Sequence, residues 1–153
     1  MNLNENIKAR GKVKFVLTKA DGTVQETYVK NLIVNVGLDF ICGRIMDSTL
    51  GSNTQMTHMA IGTASADPAA GDTILNSELA RSAFSQVTIT EPSIEFQAYY
   101  APGSGTGVIS EAGIFNAAGT NAGTMLCRTR FPIITKEAGD ALSINWIVTV
   151  AAQ

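Results

Sequence analysis

Charge is scarce in this chain. Asp, Glu, Lys and Arg make up 16% of its 153 residues, against about 25% in an average soluble domain. A chain so poor in charge either has a large core or keeps surface against other chains. A single domain of this length has little core to spare, which favours partner chains. Eleven basic and 13 acidic residues leave a net charge of −2. No basic patch stands out along the sequence, so direct nucleic-acid binding is not expected. With one His (His58) and two Cys (Cys42 and Cys127), the chain lacks the ligands of a zinc centre. Both cysteines read as small, buried apolar residues. No apolar run approaches the ~20 residues of a membrane-spanning helix. The polar start Met1–Asn6 has no signal-peptide core, so the product is expected to be cytosolic at synthesis.

What is present is alternation. In Leu142–Val150, Leu142, Ile144, Trp146, Val148 and Val150 alternate with Ser143, Asn145, Ile147 and Thr149. This is the strongest strand pattern in the chain, and it contains the only Trp. Lys12–Thr18 alternates too, with Val13, Phe15 and Leu17 on one face. Asp21-Gly22 follows as a hairpin turn, and Thr23–Val29 as the returning strand. Further strands are read at Thr57–Thr63, Ser82–Thr90, Ser93–Ala101, Val108–Phe115 and Thr124–Phe131, the last ending or reaching an edge at Pro132. Thr73–Leu79 reads as a single helical turn.

One substantial helix is expected over residues 36–46. There Leu38, Ile41, Cys42, Ile45 and Met46 fall on one helical stripe, Asn35 is placed as N-cap and Asp39 in the first turn. The spacing of short strands argues for an antiparallel β-sandwich of jelly-roll or immunoglobulin-like type spanning residues 12–153. Residues 1–11 form a polar arm. The expected core is Phe15, Leu38, Ile41, Phe96, Phe131, Ile144, Trp146 and Val148.

The candidates for chemistry are few. Pro102–Gly107 is rich in Gly but lacks the Lys-Ser/Thr of a P-loop and opens no helix, so it reads as a strand connection. Glu111 is an acid inside an apolar strand. As a catalytic carboxylate it would need Glu91 or Glu95 as partner; as a structural group it pairs with Arg128 or Arg130 across the sheet. His58 has no triad-like partner spacing. Asp67 and Asp72 lack the alternating ligands of a calcium loop. No catalytic, metal or cofactor site is therefore expected.

Val16, Leu126 and Ile147 are apolar where a one-sided sheet should be polar. Either the helix or another chain must cover them, and a homo-oligomer is the reading adopted. The expected interface residues are Leu3, Ile7, Leu126, Asn145 and Ile147.

Several stretches taken in order resemble a known family. They are Asn31–Asp39, His58–Thr63 with Asp67-Pro68-Ala69, Leu75–Arg81, Ile109–Phe115 and Gly139–Val150. Together they resemble small virion accessory proteins of tailed bacteriophages, placed as capsid decoration (cement) proteins or as tail-fibre and collar components. The resemblance implies a β-sandwich, a homotrimer and a structural role in the virion. The single compact domain tilts the expectation to a decoration protein on the capsid exterior, bound to the major capsid protein. A tail-fibre, collar or receptor-binding component is the alternative.

Overall fold

The computed structural model describes residues 7–46 and 55–152. It contains eight strands and one helix: β1 (Ile7–Thr18), β2 (Val24–Ile33), α1 (Asn35–Met46), β3 (His58–Gly62), β4 (Glu78–Thr90), β5 (Ser93–Tyr100), β6 (Gly107–Phe115), β7 (Met125–Lys136) and β8 (Ala141–Ala152). All pairings are antiparallel, and the strands close into a barrel in the order β1-β2-β7-β6-β3-β4-β5-β8.

A closed barrel is not the sandwich or jelly roll that the strand spacing suggested. Two joints make the difference. β4 is 13 residues long and changes partner along its length. Its first half, to Ala83, pairs with β3, and its second half, from Phe84, pairs with β5. A bulge between Phe84 and Gln86 bends it at the change, the device by which one strand turns a corner between two sheets. The other joint is narrow: β2 meets β7 only at Leu32↔Arg128 and Ile33↔Cys127. Closure leaves no open sheet edge at these positions.

The barrel interior is filled. Phe15, Ile144 and Trp146 are fully buried, with Phe96, Phe131 and Val148 at 5% exposure or less. The Phe15 and Phe131 rings stack at 4.0 Å between centroids. The Trp146 Nε1 and the Asn31 side-chain amide are buried without a hydrogen-bond partner among the described residues. A second, smaller apolar cluster of Val34, Ala60, Leu75, Phe115 and Met125 lies apart from the main core. It forms where the long β3–β4 connection folds back over the barrel wall.

The helix lies with a different face inward from the one its apolar stripe suggested. Leu38 is 43% exposed and Cys42 is exposed, so neither belongs to the core, while Ile41 is partly buried against it. Gly37 decides this. A Cβ there would sit 2.1 Å from the Leu126 carbonyl oxygen, so only Gly lets the helix approach β7 so closely. The inward stripe becomes Gly37, Phe40 and Ile41. The Val34 carbonyl accepts from the Gly37 and Leu38 amides at 3.0 Å. Asn35 is thus already helical, and Asp39 lies beyond the first turn.

Other expectations are corrected as well. Ile7–Gly11 is not part of a free arm but pairs with Val148–Ala152 of β8. Thr73–Ser77 contains no helical turn. β7 runs through Pro132 to Lys136, because a register shift between Ile109 and Glu111 falls opposite the proline and spares its missing N–H. Leu3 lies outside the described residues, as do most of the loop at Asp47–Gln55 and the side chain of Ile7.

Candidate functional site

The polar side chains in the barrel wall converge on one place. Glu111 on β6 and Arg128 on β7 are both fully buried. Their ion pair is doubled, with Arg128 Nη2 and Nε donating to Glu111 Oε2 at 2.8 and 3.1 Å. Directly across the ladder Glu111 faces Arg130, but that side chain turns outward to Asp67 at 3.1 Å. Glu111 accepts three further bonds from backbone amides of the β3–β4 connection: Ala64 at 3.3 Å, Asn76 at 3.1 Å and Ser77 at 2.8 Å. Arg128 reaches the same connection through Asp72 Oδ2 at 2.7 Å and the carbonyls of Ala66 and Asp67.

Burying a charge pair is tolerable only when every remaining lone pair and proton is matched. Here the matching groups all come from one loop, so the pair holds that loop to the barrel. Gly62 leaves room for it, since a Cβ there would lie 2.5 Å from the Ser77 carbonyl and 2.6 Å from Glu111 Oε1. Both carboxylate oxygens are occupied and none of Glu111 is exposed, so this acid does not meet a substrate. Asp67 and Asp72, weighed as cation ligands, are partners of Arg130 and Arg128 instead.

A second buried pair does the same for the β6–β7 turn. Arg81 lies 4.0 Å over the Phe115 ring, forms a fork with Glu78 at 2.8 Å, and donates to the carbonyls of Ala117 and Ala122. This pair was not foreseen. In a regular strand i and i+3 face opposite ways, and the register shift between Ile61 and Gly62 turns Glu78 and Arg81 to one face, which leaves no periodic signal in the sequence. His58 bonds Thr57 Oγ1 at 2.7 Å, and burial pushes its pKa below the ordinary value. Burial raises the Cys127 thiol and the Tyr100 hydroxyl, the latter donating to the Met59 carbonyl at 2.6 Å. Among the described residues no group of three His, Cys, Asp or Glu could hold a metal ion.

Two surfaces remain. An apolar cleft of about 300 Å³ lies between α1 and the inner faces of β4, β5 and β8, where Phe40, Ile41, Val87, Ile89, Ile94 and Val148 meet. Ile89 is 70% and Val87 47% exposed although their cross-strand partners, Ile94 and Phe96, point to the core. Leu126, expected at an interface, is buried at the bottom of this cleft by its own chain. On the opposite side of the same sheet a groove of about 520 Å³ runs past Tyr28, Asn145 and Ile147. The structure thus brings Asn145 and Ile147 together on a concave outer face. Comparison with family models, with curated proteins and with solved structures finds no match for this chain.

Proposed function

We propose that this chain is a structural assembly protein whose barrel end docks against further copies of itself. The observation that carries this reading is the apolar cleft beside Val87 and Ile89. Large aliphatic side chains exposed to 47% (Val87) and 70% (Ile89), beside an apolar cleft that no described residue fills, cost solubility unless another chain covers them. A charge content of 16% points the same way. The buried charge pairs support it as well, since their hydrogen bonds serve to fix loops on a rigid barrel. Together with the ordered motifs that resemble phage accessory proteins, these features favour a homotrimeric virion component. Capsid decoration, with the major capsid protein as partner, is the role we adopt. Decoration demands hundreds of copies per particle, so the test is quantitation of this chain against the major capsid protein in purified virions. Hundreds of copies, with a drop in particle melting temperature when the chain is stripped, are the expected result. A handful of copies would assign it to the tail or collar instead.

A further inference from the structure

The outward face of β1 carries a line of positive charge that only the fold assembles. Val13, Phe15 and Leu17 point into the core, so Lys8, Arg10, Lys12 and Lys14 all point out. At ~3.3 Å per residue these four span about 20 Å, with a cation every ~6.6 Å. The β1–β2 register sets Lys30 directly opposite Lys12. Five of the chain's 11 basic residues therefore share one face, in a protein whose net charge is −2.

Among the other cations, Arg81, Arg128 and Arg130 form ion pairs, Lys19 pairs with Asp140, and Lys136 is buried on the Ala101 carbonyl. On the β1 face only Lys14 has a carboxylate partner among the described residues, Glu26 at 3.0 Å. Glu95, the carboxylate that lines the groove, is bonded by the Gln97 and Asn145 amides.

The Lys12–Lys30 pair is the telling feature. Like charges directly opposite one another on a ladder destabilise the sheet. A local rule broken without compensation inside the fold marks a place shaped for something else. The neighbours agree. Arg10 is in register with Thr149, whose hydroxyl lies 2.7 Å from that of Ser93, so hydroxyls continue the row. Tyr28 stands beside Lys14, 65% exposed, at the groove of about 520 Å³.

We infer that this face binds a single-stranded nucleic acid, its phosphates following Lys8, Arg10, Lys12 and Lys30 and a base stacking on Tyr28. A row of evenly spaced cations beside an exposed aromatic is the pattern that holds such a strand without reading its sequence. This goes beyond the assembly reading and uses the opposite side of the sheet.

The test is fluorescence anisotropy of the full chain with a labelled oligo-dT of about 12 nucleotides, from about 25 to about 150 mM NaCl. Binding should be saturable, with log K falling against log[salt] at a slope near −3, about 0.7 for each of the four cations with no carboxylate partner among the described residues. The double variant Arg10→Glu/Lys12→Glu, at exposed positions where relief of the Lys12–Lys30 repulsion keeps melting from falling, should weaken binding at least about tenfold and flatten the slope by about 1.4. Tyr28→Ala should weaken it about 5- to 150-fold with the slope unaltered. Absence of binding at low salt would overturn the inference, as would affinity indifferent to the charge reversal. Full displacement of the oligonucleotide by a poly-Glu peptide of equal charge would overturn it too, and would give the face to an acidic protein.

Discussion

Replacing Arg128 by Leu removes one side of the buried ion pair while keeping most of the volume. Glu111 is then left in the barrel wall with three backbone amides as its remaining partners. Breaking a buried pair from one side costs about 3–5 kcal/mol, because the surviving charge is left uncompensated. The carbonyls of Ala66 and Asp67 and the Asp72 carboxylate lose a donor at the same time. For a domain of this size the cost corresponds to a fall of about 6–20 °C in melting temperature. The loss should be local before it is global. Hydrogen exchange at the Ala64, Asn76 and Ser77 amides should quicken more than exchange in β1 and β8. The double variant Glu111→Leu/Arg128→Leu completes the cycle, with a favourable coupling of about 1–3 kcal/mol between the two positions. If Arg128→Leu costs less than about 1 kcal/mol and the loop amides exchange as before, the pair does not hold the loop and the reasoning fails.

Gly62→Ala should lower stability by about 1–3 kcal/mol, read by urea denaturation, because its Cβ would push on the Ser77 carbonyl and Glu111 together. Gly37→Ala should detach α1 from β7, seen as increased exchange of the helix amides with the barrel amides unchanged, since the Leu126 carbonyl cannot yield 2.1 Å contact space cheaply. His58 supplies a pH dependence. Burial holds its folded pKa below 6.5, so the unfolded chain binds the proton first as pH falls. Stability should decline from pH 6.5 downward and level off below the folded pKa. His58→Asn should remove that slope in urea midpoints measured across the window.

The strands at the two ends of the chain were legible because each has one face in the core, and a half-buried strand writes period 2 into its residues, whereas β3, β6 and the start of β7 are buried on both faces. β8 is the clearest case, with Leu142, Ile144, Trp146 and Val148 all buried. Closure was not legible. It depends on two pairings at β2–β7 and on the bend at Phe84–Gln86, and neither leaves a periodic trace. The helix was found but rotated, because a Gly does not register as an apolar contact although Gly37 is the point of closest approach. Glu111 was anticipated as a partner of Arg128 or Arg130. The loop it holds was not, since the amides of Ala64, Asn76 and Ser77 carry no side-chain signal. The cationic face was missed for a related reason. Lys8 and Arg10 sat in a presumed arm, and Lys30 joins them only through register.

The mass of the chain in solution tests the assembly reading most directly. Light scattering on the size-exclusion peak should give about 48 kDa at micromolar concentration, three copies of the 16.1 kDa chain. Ile89→Lys, at a position 70% exposed in the single chain, should reduce that mass to 16.1 kDa without unfolding the barrel. A wild-type chain that runs at 16.1 kDa, or an assembly that the Ile89→Lys variant leaves intact, would contradict the account.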